Sequence, residues 1–407
     1  MHIFLILFAA LVACGPALAN CGGPVSDFVG GLKTEAIQAG HDPETVDAFF
    51  STVRMDPKVL RADRAQGVFQ KPFIEFSRRL ISQDRLNKGQ QNAQKSDAVF
   101  DRIEKEYGVS RGVLLAFWAF ETDYGGFQGD FNTLNALVTL SHDCRRPELF
   151  RPQIFAALTL YEHGDFDPAT TTGAWAGEIG MVQMLPRDIL ENGVDGDGDG
   201  HVLLKKSAPD ALMSGAKMLH SLGWRAGEPW LQEVVLPRGF DWSLTGLDES
   251  KSVSDWAALG VEARSGQLAD GGLTASILLP QGHKGPAFVA YPNFRVYFEW
   301  NQSFVYVLTA AYFATRLEGA QVYDPGNPDT GLSGAEMKQL HMMETAVTVM
   351  REQAPGFAPA WERAMRDAES THEAAEGGLK KLMRKVMPGG KTVPALESRD
   401  ETAEIED

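Results

Sequence analysis

VLLAFWAFETDYGG, residues 113–126, is the stretch on which the reading of this 407-residue chain turns. Eight consecutive apolar residues, 113–120, run directly into the carboxylate of Glu121, and the segment closes at Gly125 and Gly126. Its length and the glycine pair predict a buried helix ending near Gly125. Glu121 then falls in or near the last turn, where backbone carbonyls lack partners and the dipole end is negative. Desolvation and that field both disfavour the charged carboxylate and raise its pKa. An acid kept neutral against an apolar wall is what protonation of a glycosidic leaving oxygen requires. The competing reading is a helix-end glutamate that simply points into solvent.

Composition narrows the alternatives. The chain is 44% apolar and 23% charged, ordinary for a globular protein, and long enough for two or three domains. Its net charge of −16 argues against nucleic acid and anionic membrane as partners. Part of that charge sits in the terminal ESRDETAEIED, which reads as a solvated disordered tail. At the other end, residues 3–13 form an apolar segment and Ala17-Leu18-Ala19 offers a cleavage site, so residues 1–19 read as a signal peptide. LVAC, residues 11–14, also has the shape of a lipobox, in which Cys14 would carry an outer-membrane lipid anchor. Either route leaves Cys21 and Cys144 in an oxidising compartment, an even count that points to a disulfide pinning the mature N-terminus. Two unrelated thiols are the other reading. No later stretch is long and apolar enough to span a bilayer.

Residues 20–110 read as a helical N-terminal part. Phe28, Leu32 and Ala36 recur at helical spacing, a second helix starts at Asp42-Pro43-Glu44, and another runs over 97–107 to Gly108. Phe69, Phe73, Phe76 and Leu80 form an apolar face before a polar stretch at 88–95. After Gly126, helices are expected over 131–143 and 149–164, with Pro152 in the first turn of the latter. Residues 170–180, TTTGAWAGEIG, form a small-residue loop that a bulky ligand could approach closely, or an ordinary helix connection.

DGDGDG at 195–200 is the second sharp signal. Asp195, Asp197, Asp199 and the backbone of His201 match the first four liganding positions of an EF-hand-type loop. Position twelve is Lys206 instead of Glu, and Asp210 is placed to close the site. Clustered carboxylates repel one another without a cation, so a structural calcium ion is expected. A solvated acidic turn is the alternative. Residues 236–290 read as a small inserted subdomain with strand-like pieces. Residues 294–301 alternate apolar and polar and read as a half-buried strand, followed by a helix over 304–317 with Asn301 or Ser303 as N-cap. Amphipathic helical pieces are expected at 336–351 and 369–387.

Seven segments, taken together and in order, resemble the lytic murein transglycosylases of the membrane-bound B type. They are VLRADRAQGVF (59–69), FWAFETDYG (117–125), FNTLNALVTLS (131–141), GAWAGEIGMVQMLP (173–186), DGDGDGHV (195–202), GPAFVAYPNFRV (285–296) and WNQSFVY (300–306). The resemblance spans roughly residues 25–320. It implies a mainly α, α+β fold: a lysozyme-like helical core over 111–235 with the calcium loop, completed by a strand and helix over 291–325. Residues 326–407 would be a helical extension and tail.

The implied activity cleaves the β-1,4 bond between N-acetylmuramic acid and N-acetylglucosamine in peptidoglycan, leaving a 1,6-anhydro end. Glu121 falls on the family's single catalytic acid and Asn301 on the residue that orients the sugar near C1. Tyr124, Gly177 and Gln183 match positions lining the glycan groove. No cofactor is implied for the chemistry, the partner is the glycan strand, and a periplasmic monomer is expected. Three departures from the family pattern stand out: Ala174 where a serine is usual, Trp300 where a tyrosine is usual, and a drifted sequence at 181–185. They keep two alternatives open, a hydrolytic muramidase and a catalytically weak peptidoglycan-binding scaffold.

Overall fold

The computed structural model describes residues 21–65 and 71–328, which belong to one compact unit. Residues 1–19 with Cys14, Phe69 and the pieces at 336–351 and 369–387 lie outside the described residues. The first half is helical: α1 (Val25–Gln38), α2 (Pro43–Phe50), α3 (Pro57–Arg64), α4 (Phe73–Leu80), α5 (Gln83–Lys95) and α6 (Asp97–Tyr107). Local chemistry sets several boundaries. Asp42 and Asp56 cap α2 and α3 through their side chains, each followed by proline at the first helical position. Gly108 closes α6 in the left-handed conformation. Residues 88–95, read only as polar, are the body of α5, where Leu86 and Gly89 are the buried residues. One apolar contact per two turns is too weak a periodicity to announce a helix, and packing supplies the rest.

The decisive stretch is α7 (Arg111–Thr122), buried on nearly every side from Gly112 to Ala119. A helix that is apolar all round needs cover on all sides. Its main neighbour is α14 (Phe304–Leu317), whose buried Ala310, Ala311 and Ala314 permit a close crossing. Gly112 permits it too, since a Cβ there would lie 2.8 Å from the Ala314 carbonyl oxygen. Between these two in sequence come β1 (Phe131–Asn132), α8 (Thr133–His142), α9 (Pro147–His163), β2 (Thr172–Gly173), α10 (Pro186–Asn192) and α11 (Ala208–Ser221). β1 and β2 pair antiparallel and tie the start of α8 to the glycine-rich loop. Helix α9 starts at Pro147, two residues earlier than its apolar face, so Pro152 lies inside the helix instead of in its first turn.

The insertion is a five-stranded antiparallel sheet ordered β4-β6-β7-β3-β5. Its strands are β3 (Leu231–Val235), β4 (Lys251–Ser252), β5 (Glu262–Ala263), β6 (Thr274–Leu278) and β7 (Ala287–Ala290), with α12 (Val253–Ala258) between β4 and β5. The sheet thus begins at Leu231, ahead of 236. Side chains alternate between two cores: Phe288 and Ala290 of β7 join the main helical core, whereas Ala287 and Val289 pack on Trp256 and Val261 in a core of their own.

Residues 294–301 are not a strand. All but the last of them belong to α13 (Pro292–Trp300), which buries Asn293, Phe294, Val296 and Tyr297 and exposes Arg295 and Glu299. The period-2 pattern coincided with this helical face over a few residues, and Pro292 at the first helical position was the discriminating signal. Ser303 caps α14; Asn301 ends α13. A disulfide joins Cys21 to Cys144, and Gly22 N–H donates to the His142 carbonyl at 2.9 Å, fastening the start of α1 to the end of α8. No described helix is long and apolar enough to cross a membrane. The arrangement is mostly helical with a small sheet, the mainly α, α+β class expected.

Candidate active site

Glu121 occupies the last turn of α7, as its position before the glycine pair requires. The chain then reverses sharply: Asp123 (φ 51°), Tyr124 (φ 62°) and Gly125 (φ 84°) are all left-handed. Two consecutive non-glycine residues in that region are strained and need outside support. Helix α5 provides it. Arg85 Nε and Lys88 Nζ donate to Asp123 at 3.0 and 3.2 Å, and these contacts, Arg85 foremost, hold the Asp123 carboxyl below its usual range. Tyr124 donates its hydroxyl to the Arg85 carbonyl at 2.8 Å and stands edge-on to Trp118. Gly89 makes room for that hydroxyl; a Cβ there would sit 2.6 Å from it.

The Glu121 carboxyl is partly buried and held from α13 and α14. Tyr306 donates its hydroxyl to Oε1 at 2.5 Å and Trp300 Nε1 donates to the same oxygen at 3.2 Å. Trp300 is itself stacked on Phe117 of α7, ring centres 4.4 Å apart. Both donors therefore converge on Oε1, and among the described residues no protein donor meets Oε2. Burial is the leading influence on the acid and raises its pKa to about 7; the Tyr306 and Trp300 hydrogen bonds oppose it, and the charge of Glu178 adds to it. Desolvation, not the helix terminus, is thus the main cause. The sequence pattern points to neither Glu178 nor Tyr306, and Trp300 stands out only as a departure from the family pattern. Tyr306 sits five residues beyond Asn301 in a quoted motif, whereas nothing in the local pattern around Glu178 announced its partner.

The glycine-rich loop closes on the end of α7. Thr122 Oγ1 donates to the Met181 carbonyl at 2.6 Å and accepts from Gly125 N–H at 2.9 Å. Gln183 is left-handed (φ 53°), and its amide nitrogen donates to the Gly180 carbonyl at 2.7 Å, so that group braces the loop. Gly177 (φ 94°) is accounted for by packing, because a Cβ there would lie 2.4 Å from Leu137. Asn301 accepts Ser303 N–H at 2.9 Å on its side-chain oxygen and adjoins Trp300, which binds Glu121.

In the acidic loop, carboxylate oxygens of Asp195, Asp197 and Asp210 lie within 4.8 Å of one another. Asp199 and His201 fall outside that group. Asp199 accepts His201 N–H at 2.9 Å, and the His201 ring pairs with Asp165 at 2.9 Å, which raises the imidazole pKa. Asp210 is buried and accepts from Gly196 N–H, Leu203 N–H and the Ser207 hydroxyl. Leu204, next to Leu203, accepts Met181 N–H at 3.0 Å, so the acidic loop buttresses the glycine-rich one.

A partly buried acid at a helix end, faced by a tyrosine and an indole, is thus set in a mainly helical fold. Residues 25–315 match the Transglycosylase SLT domain, and the chain belongs to that family. It is 26% identical over 238 residues to the membrane-bound lytic murein transglycosylase B of Escherichia coli (strain K12), covering 58% of this chain and 64% of that protein. The chain thus spans less than two thirds of that relative's length. Among solved structures, SltB3 from Pseudomonas aeruginosa in complex with NAG-NAM-pentapeptide is 34% identical, with a TM-score of 0.74 over 80% of this chain and 88% of that one. Soluble lytic transglycosylase SltB1 from the same organism is 26% identical, with a TM-score of 0.63 over 72% and 99%. Escherichia coli Slt35 in complex with calcium shares the fold at 24% identity and a TM-score of 0.62, over 74% and 96%.

Proposed function

We propose that the chain is a lytic transglycosylase that cleaves the β-1,4 bond between N-acetylmuramic acid and N-acetylglucosamine, with Glu121 as acid and then base. The observation that carries this reading is the Glu121 carboxyl itself, raised to about 7 by burial yet held by Tyr306 and Trp300. Such a group is protonated often enough to donate near neutrality and basic enough, once deprotonated, to accept. In the first half-reaction Glu121 gives its proton to the leaving O4 as the C1–O4 bond breaks, and the substrate's acetamido group stabilises C1. In the second, the Glu121 carboxylate takes the proton of the muramoyl 6-hydroxyl as O6 bonds to C1. Water is not consumed and the acid is regenerated. Asn301 would orient the sugar near C1, and Tyr124, Gly177 and Gln183 would shape the groove. The last three do so through the backbone turns they support, since their contacts are internal.

The same reading assigns a structural calcium ion to the acidic loop. The Asp195, Asp197 and Asp210 oxygens are hard donors close enough to share one divalent cation, which suits calcium. An ion there would neutralise their repulsion and stiffen the support of the glycine-rich loop. The protein would act as an exported monomer on periplasmic glycan strands, a compartment in which the Cys21–Cys144 disulfide persists. The test is digestion of purified murein sacculi and weighing of the muropeptides. Products one water lighter than hydrolytic ones are expected; hydrated reducing ends would replace this reading with a muramidase.

A further inference from the structure

The two groups that hold Glu121 are not equivalent donors, and the difference bears on which carboxyl oxygen carries the proton. Tyr306 donates its hydroxyl to Oε1 at 2.5 Å, and a hydroxyl can turn and accept instead. Trp300 Nε1 reaches the same oxygen at 3.2 Å, and an indole N–H can only donate. The indole is also fixed in place. It stacks on Phe117, ring centres 4.4 Å apart and planes inclined by 25°, and Phe117 is fully buried. From α11 comes a second wall, since a Cβ at Gly215 would lie 3.6 Å from the six-membered ring of the indole.

Oε2 has a different setting. Among the described residues no protein donor meets it, and it is not one of the buried oxygens that lack a partner. It therefore opens on the accessible side of the site. A neutral carboxyl has one carbonyl oxygen, a good acceptor, and one hydroxyl oxygen, which donates and is the poorer acceptor. In water the two placements of the proton are equivalent; at Glu121 they are not. With the proton on Oε2, Oε1 is the carbonyl oxygen and satisfies both donors. With the proton on Oε1, Tyr306 would have to reverse, and the indole N–H would be left with the poorer acceptor.

We propose that Trp300 is a positioning residue that fixes the protonated form of Glu121, with Oε1 as the carbonyl oxygen and the transferable proton on Oε2. This rests on the reading of Glu121 as acid and then base. In the first half-reaction the Oε2–H bond breaks as the proton passes to the leaving O4, and its electron pair stays on the carboxylate. In the second, Oε2 takes the proton of the 6-hydroxyl while Oε1 keeps both donors. One oxygen is anchored and the other reacts, so the carboxyl need not rotate between the two steps. The departure at position 300 thus has a chemical consequence. A tyrosine there could reverse as Tyr306 can; the tryptophan cannot.

The test is infrared spectroscopy of the full mature chain with 13C-labelled glutamate at pH 6, reading the carbonyl stretch of protonated Glu121. Its band is the one that Glu121→Gln removes. In Trp300→Phe the band is expected to move to higher wavenumber, because Oε1 loses a donor. On sacculi the same variant should lose about 10-fold in kcat, the scale of one hydrogen bond, with KM within about a factor of two. Trp300→Tyr, which can still donate, should recover part of the kcat. A folded Trp300→Phe with an unmoved band overturns the proposal, since Oε2 would then be the carbonyl oxygen. A loss confined to KM overturns it too and makes Trp300 a sugar contact. If phenylalanine at 300 unfolds the site, wild type still decides through the 15N-labelled indole of Trp300. Its N–H resonance should shift as pH passes through 7 and stay fixed in Glu121→Gln, and an indifferent resonance rejects the anchoring. A wild-type protein inert toward sacculi would defeat the proposed activity, while the infrared band and the indole resonance would still decide the placement of the proton.

Discussion

Glu121 and Asp195 are both carboxylates that accept hydrogen bonds, and their surroundings pull them in opposite directions. Asp195 is in an open loop where Gly200, Gly198 and Asp199 N–H groups point at it, and these backbone donors lower its pKa. Glu121 has two side-chain donors on one oxygen, and burial overrides them. The difference teaches that hydrogen bonding alone does not set the charge of a carboxylate; access to water decides between similar donor sets. One setting favours the ionised form. The other favours the protonated form.

The largest expected effect is at Glu121. Glu121→Gln should reduce turnover of sacculi by at least about 100-fold at pH 6, the scale of general acid–base catalysis. Stability should move the other way. The folded pKa of about 7 lies above the model-compound value of 4.5, so this group's contribution is fully present below 4.5 and lost as pH rises through 7. Wild type should thereby lose up to about 2.5 kcal/mol between pH 5 and pH 8, a loss that the non-titrating glutamine variant escapes. Urea melts at the two pH values measure it, and equal losses in both proteins would remove the buried-acid account.

Tyr306→Phe comes next. Its hydroxyl stabilises the ionised form of Glu121, so the alkaline limb of kcat/KM should move up in pH while kcat falls about 10-fold as the acid loses its anchor. A downward movement would contradict the direction assigned to that hydrogen bond. Cys144→Ser should cost about 2–5 kcal/mol in a urea melt under oxidising conditions, because the bridge closes a span of 123 residues. The smallest effect is on the acidic loop. Calcium at 100 times its Kd should stabilise the protein by about 2.7 kcal/mol, seen as a rise of a few degrees in Tm. Asp195→Asn should abolish the rise, whereas Asp199→Ala should retain part of it, since Asp199 lies outside the converging group.

Residues 113–126 were enough to place a buried helix and an acid at its end, because eight apolar residues followed by a charge and two glycines leave few other arrangements. Caps and glycine stops were equally local: Asp42-Pro43 and Gly108 mark helix boundaries through their own backbone chemistry. The spacing of Asp195 and Asp197 announced clustered oxygens, since a tight loop brings alternate residues together. Where two periods overlapped, as at 294–301, sequence pattern was insufficient and α13 had to be seen.

What only the tertiary structure decided was the setting of the acid. Tyr306 and Trp300 lie 185 and 179 residues from Glu121 and reach it from α14, which crosses α7, and from the end of α13, where Trp300 stacks on Phe117. The glycine-rich loop is held to its neighbour Thr122 through the Met181 carbonyl. The identity and place of Glu121 are properties of the chain, because helix formation and termination are short-range. Its protonation is a property of the fold, because desolvation and charge act through space and depend on which distant residues the packing brings near.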